Sequence, residues 1–275
     1  MLQLNKHSYD LNRPLVMGIL NITPDSFSDG GQYLDFDQAL KRAEIMIEEG
    51  ADIIDIGGES TRPGSDPVSV DEELKRITPI IKALNKHSNI VISVDTYKPE
   101  VMEQVIDMGV AMINDVFALQ QLGATEVIKK SNVGICLMHM QGKPKTMQLN
   151  PTYQDVVNEV KLFLEERTNS LIAEGIQTER IILDPGFGFG KTFEHNITLL
   201  QNLESFQPLK LPLLVGLSRK SFIRKILSGD HDDHLSGSIS AAILSILKGA
   251  KIVRVHDVKE TQSAIKIMQI AQGKI

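Results

Sequence analysis

A chain of 275 residues is long for two small domains and normal for one α/β barrel, which takes about 250. With 42% hydrophobic and 23% charged residues it matches globular proteins, not disordered or membrane-embedded ones. A net charge of −6 gives no general attraction to nucleic acid or an anionic membrane, so an anionic ligand must be held by locally placed cations. A single cysteine, Cys136, excludes an intrachain disulfide. Its setting in GICLM predicts a buried thiol rather than a nucleophile, and the compartment expected is the cytosol. The opening MLQLNKHSYD has no signal-peptide stretch, and the longest apolar run, AAILSIL from Ala241 to Leu247, is too short to span a bilayer.

Residues 1–13 are expected to be a short segment preceding the first strand of one barrel domain that takes in the whole chain. Eight short apolar, β-branched runs then begin near Pro14, Ala51, Asn89, Ala111, Val133, Arg180, Pro212 and Lys251. They are continuously apolar rather than alternating, which predicts strands covered on both faces, as in a parallel sheet. Helical spacing lies between them, as in Leu40, Ala43 and Ile47, or Val156, Val160, Phe163 and Leu164. Repeated strand-then-helix units fit a (β/α)8 TIM barrel better than an open doubly wound sheet. The segments after the first two strands, NITPDSFSDGG (Asn21 to Gly31) and GGESTRPGSDPVSVDEE (Gly57 to Glu73), have the composition of irregular loops and the placement of lids.

Each strand ends on polar residues: Asn21; Glu59 with Thr61 and Arg62; Asp95; Asn114; His139; Asp184; Ser218 with Arg219 and Lys220; Arg254 and His256. In a barrel these ends converge on one mouth. Asp95, Asp184, Asn114 and Lys220 suit a flat, nitrogen-rich heterocycle, since adjacent N–H groups pair bidentately with a carboxylate. Three of them have a plainer reading. Asp95 could cap the helix beginning near Lys98, although Thr96 could do that, and Asn114 and Asp184 could be turn formers. Arg62, Arg219, Arg254 and His256 form a cationic set suited to a diphosphate, and Asn21 offers one oxygen for Mg²⁺.

GFGFGKT (Gly186 to Thr192) looks like a phosphate loop, but the first glycine of that pattern falls on Pro185. Its glycines instead let Phe187 or Phe189 approach a flat ligand. The acidic, histidine-bearing GDHDDHLSG (Gly229 to Gly237) reads as an exposed connection between helices.

The segments NITPDSFSDGG, DIGGESTRPG, SVDT, INDV, MHMQGKP, DPGFGFGK, GLSRKSFI and VRVHDV, running from Asn21 to Val258, resemble the successive motifs of the bacterial dihydropteroate synthases. The resemblance implies a homodimeric (β/α)8 transferase of folate synthesis, the target of sulfonamides. Such an enzyme joins 6-hydroxymethyl-7,8-dihydropterin diphosphate to p-aminobenzoate. It also implies that Asp95, Asn114, Asp184 and Lys220 hold the dihydropterin, and that Thr61, Arg62, Arg254 and His256 serve the diphosphate, with Asn21 on Mg²⁺. Phe27, Arg62, Pro63, Phe189, Lys220 and Ser221 would shape the aminobenzoate site, and Lys220, Arg254 and Asp95 would carry the catalysis. Two other readings share some of these features: a pterin-binding methyltransferase domain acting on methyl-tetrahydrofolate, and a folate-binding module without turnover. The first would not need the diphosphate set, and the second would bind a pterin tightly with no turnover.

Overall fold

The computed structural model describes residues 1–22, 31–61, 64–227 and 234–274, at 31–35 the backbone alone. The apolar runs become β3 (Leu15–Asn21), β4 (Ile53–Gly57), β5 (Val91–Asp95), β6 (Met112–Asp115), β7 (Gly134–Met138), β8 (Ile181–Asp184), β9 (Leu214–Val215) and β10 (Ile252–Val255). They form one parallel sheet in the order β8-β7-β6-β5-β4-β3-β10-β9. Its two ends meet at the parallel bridge between Leu183 and Leu213, where the Leu183 N–H donates to the Pro212 carbonyl at 3.0 Å. The sheet is thereby closed into the expected barrel. Around it lie α1 (Gly31–Glu48), α2 (Val70–His87), α3 (Pro99–Asp107), α4 (Ala124–Lys129), α5 (Val156–Ala173), α6 (Phe193–Gln201), α7 (Ser221–Ile226), α8 (His234–Leu247) and α9 (Val258–Ala271). Among the described residues no helix is long and apolar enough to cross a membrane.

The continuous apolarity of the strands has two causes, one on each face. Outward-pointing Val16, Leu20, Ile54, Ile56, Ile92 and Val94 belong to the core shared with the helices. Inward-pointing Leu15, Met17, Ile53, Val91, Met112, Cys136, Ile182, Leu214 and Ile252 fill the lower barrel, and successive residues of a strand alternate between these two sets. The helices present the matching stripe. In α2, Leu74, Ile77, Ile81 and Leu84 are buried, Ser69 accepts from the Glu72 N–H, and Asp71, Glu72 and Glu73 occupy the positive first turn.

Three expectations change. Residues 1–13 are more than a lead-in, because β1 (Leu2–Leu4) and β2 (His7–Tyr9) pair as an antiparallel hairpin. Leu2 and Leu4, both fully buried, join the inner cluster and seal the barrel floor. The contact is close enough that a Cβ on Gly134 would lie 2.1 Å from Leu4 Cδ2, so a larger residue there would push the Leu4 side chain aside. Neither Asp95 nor Thr96 is the N-cap of α3, which is Lys98 with Pro99 following; the Thr96 hydroxyl accepts from the Lys98 N–H instead. His234 to Gly237, expected in an exposed connection, form the first turn of α8, and 228–233 lie outside the described residues.

Candidate active site

The inward alternation that fills the floor with aliphatic residues continues upward and turns polar. It brings Asn21 of β3, Asp55 of β4, Ser93 and Asp95 of β5, Asn114 of β6, Asp184 of β8 and Arg254 of β10 to the upper end of the barrel. The register is direct: Asn21 pairs with Gly57, Gly57 with Asp95, and Asp95 with Asn114. Gly57 leaves room in this layer. A Cβ on it would lie 3.5 Å from Asn21 Oδ1 and 3.7 Å from Asp95 Cβ.

Asp55, absent from the sequence-derived set, is the hub. It is fully buried, and its Oδ2 accepts from Arg254 Nε at 2.6 Å and from Asn114 Nδ2 at 3.1 Å. Arg254 Nη2 donates in turn to Asp95 Oδ2 at 2.9 Å. Three buried polar atoms facing this space find no partner among the described residues: Asp55 Oδ1, Ser93 Oγ and Asp95 Oδ1. Buried acceptors without donors are costly, and a ligand edge carrying N–H groups would satisfy them. Burial holds the Asp95 carboxyl above the usual carboxylate range despite the pull of Arg254. Two flanking carboxylates hold the Arg254 guanidinium firmly protonated against that same burial.

The opposite wall comes from the segment after β8 and the start of α7. Asp184, 6% exposed, accepts from the Gly186 N–H at 2.7 Å, and burial raises its carboxyl while that bond and Lys220 lower it. Lys220 Nζ stands 4.2 Å from the centroid of the half-buried Phe189 ring. Burial, then repulsion from Arg254, brings its ammonium down to about 8. Ser221 follows as the exposed first residue of α7. On the rim the Ser218 hydroxyl lies 3.0 Å from His256 Nδ1 and accepts from the His256 N–H, and Thr61 is half-buried just beyond β4.

Other expected members are engaged elsewhere. Arg219 pairs with Asp257 on the surface, while β10 directs Arg254 inward between two carboxylates. Glu59 accepts from Lys98, the Tyr97 hydroxyl and the Val68 N–H, tying down the base of the second long loop. His139 is buried beside Lys191 rather than in the mouth. Phe187 turns into the core and stacks on Phe222, leaving Phe189 as the aromatic of the mouth. Phe27, Arg62 and Pro63, with most of the first long loop, lie outside the described residues.

Asp55 was readable in principle. In the run IIDIG it stands two residues beyond Ile53 and two before Gly57, so strand parity alone puts it inside. For a metal, no cluster of three His, Cys, Asp or Glu side chains exists among the described residues. The Asn21 amide oxygen, beside Asp95 at the end of β3, offers one hard donor. That donor set fits Mg²⁺ in company with waters and phosphate oxygens, and does not fit an ion caged by the protein alone.

Comparison with known proteins places the chain in a family. The family model described as pterin binding enzyme matches residues 17–256. The dihydropteroate synthase of Haemophilus influenzae is 49% identical over 268 residues, covering 98% of each chain. A crystal structure of the Yersinia pestis dihydropteroate synthase with a sulfonamide drug superposes with a TM-score of 0.93 at 45% identity, over 99% of both chains. The Burkholderia cenocepacia enzyme complexed with 7,8-dihydropteroate gives 0.90 at 43% identity, covering 99% of this chain and 96% of that one.

Proposed function

The chain belongs to the dihydropteroate synthase family, and from that premise we propose how its barrel mouth joins (7,8-dihydropterin-6-yl)methyl diphosphate to p-aminobenzoate, giving 7,8-dihydropteroate and diphosphate. The observation that carries the assignment is the set of unpartnered acceptors on Asp55, Ser93 and Asp95 beside Asn114, Asp184 and Lys220. A pterin offers the complement, with amino and ring N–H donors along one edge and a carbonyl and ring nitrogen for the Asn114 amide and the Lys220 ammonium.

The bond that breaks is between the methylene carbon and the diphosphate oxygen, which leaves with the electron pair. Arg254 is a catalytic cation here because two carboxylates keep it charged and fixed before the reaction begins. Asp95 and Lys220 hold the ring as positive charge spreads into it. Thr61, Arg62, Arg254 and His256 bind the diphosphate, and Asn21 would hold Mg²⁺, which when bound would add to the neutralisation of the departing charge. The arylamine nitrogen, neutral at pH 7, attacks the methylene carbon with its lone pair and then releases a proton, so no dedicated general base is required. Phe27, Arg62, Pro63, Phe189, Lys220 and Ser221 shape its site.

We place the enzyme in the cytosol as a homodimer. Exposed Leu244 and Leu247 on α8 and Ile267 and Ile270 on α9 support an apolar subunit contact. The methyltransferase alternative is not favoured, since similarity to the synthases runs through nearly the full chain. The test is the two-substrate assay. Diphosphate release should depend on p-aminobenzoate, and Asp184→Ala should be nearly inactive; a fully active variant would remove Asp184 from the site.

A further inference from the structure

The glycine-rich segment after β8 ends in a lysine with no part in the chemistry above. Lys191 is 2% exposed and forms no ion pair with a described carboxylate. Its Nζ donates to the carbonyl oxygens of Gly186 at 2.9 Å and Phe189 at 3.0 Å, reaches that of His139 at 3.4 Å, and lies 3.0 Å from His139 Nδ1. Burial and then the Lys191 charge bring His139 down to about 3, so its ring is neutral and Nδ1 can accept. Burial brings the Lys191 ammonium down to about 7 while the charge of Asp184 raises it, and the four acceptors around Nζ favour the protonated form.

The two carbonyls that Lys191 grips belong to residues that touch two different members of this wall of the mouth. Gly186 donates its N–H to Asp184 Oδ1. Phe189 lies under the Lys220 ammonium, and Gly188 between them backs onto Lys220, where a Cβ would come within 3.2 Å of Lys220 Cδ. The outer part of the segment has its own ties. Tyr153 donates to the Gly190 carbonyl, Gln148 donates to the Gly188 carbonyl, and Asn196 Oδ1 accepts from the Gly188 N–H. The turn is closed by the Phe189 N–H, which donates to the Gly186 carbonyl at 3.1 Å. Lys191 adds the clamp that ties both carbonyls of this turn to His139, so without it the turn keeps its internal bond and loses its fixed placement against β7.

We propose that Lys191 is a positioning residue whose ammonium fixes the Gly186–Phe189 turn, so that Asp184 on the pterin side and Phe189 with Lys220 on the arylamine side keep one relative placement. This rests on the site assignment given under Proposed function. Lys191→Met keeps the stem and removes the donors, and it should raise the KM for p-aminobenzoate about tenfold, the scale of a lost charged hydrogen bond. Ile265→Ala in α9 should lower the melting temperature and leave that KM unchanged. In the unsubstituted enzyme the ¹H–¹⁵N signal of the Lys191 ammonium should shift when p-aminobenzoate joins the complex with dihydropterin and diphosphate. A wild-type KM in Lys191→Met overturns the proposal. So does an ammonium signal indifferent to p-aminobenzoate, a measurement that stands even if the variant does not fold. Normal pterin binding by Asp184→Ala would instead overturn the underlying site assignment, a result distinguishable from either.

Discussion

Asp55 accepts from Arg254 and Asn114 at once, so its removal reaches two side chains. Asp55→Ala leaves Arg254 with Asp95 alone, and breaking a buried ion pair costs about 3–5 kcal/mol. The expected outcome is a fall in kcat/KM of about a hundredfold or more with a lower melting temperature, and a smaller loss in Asp55→Asn, which keeps an acceptor. Lys220 sets a pH dependence. Its ammonium titrates at about 8 in the fold against 10.5 for the free side chain. Activity that needs this cation should therefore decline as pH rises through about 8. The sign for stability is opposite: between about 8 and 10.5 the unfolded chain holds this proton and the folded one has lost it, so the group's contribution to unfolding free energy rises with pH. Steady-state rates and denaturant midpoints across that window should diverge, and parallel declines would separate Lys220 from the activity.

At the scale of elements, the segment from Gly186 to Gly190 holds its shape through positive φ values and close contacts. A Cβ on Gly186, at φ +70, would lie 1.9 Å from the His139 carbonyl oxygen. Gly175, at φ +96, has nothing within 4 Å of the same position. Gly186→Ala should lower the thermal midpoint well beyond Gly175→Ala, which should cost only the backbone term of about 1–2 kcal/mol. The sequence displayed these glycines but not which phenylalanine turns inward, because an irregular turn has no period from which to read a face. The strands were legible as continuous apolar runs, and Asn21, Asp95, Asn114, Asp184 and Arg254 as the polar residues that end them. Strand parity, which places these residues inside, applies equally to Asp55, hidden by standing mid-strand rather than at an end. Arg254 itself illustrates a further limit: its position was readable, its carboxylate partners were not, since they lie 199 and 159 residues away. The floor hairpin escaped notice because its strands are three residues each.

The molecule as a whole is a barrel with an aliphatic floor and a polar roof. Leu2 and Leu4 close the floor, and burying each contributes about 1.5–3 kcal/mol. Deletion of residues 1–10 should thus lower the unfolding free energy by about 3–6 kcal/mol in urea titrations, while the fraction that remains folded keeps its KM values. An unchanged urea midpoint would show that the hairpin is dispensable. The sealed floor also governs traffic. Asp55, Ser93 and Asp95 lie deep, whereas Phe189 and Ser221 stand near the rim, and both classes of substrate must use the same doorway. The pterin has to pass before the arylamine blocks its way, and the joined product must back out whole before another pterin enters. A short hairpin at one end of the barrel thereby imposes a queue at the other.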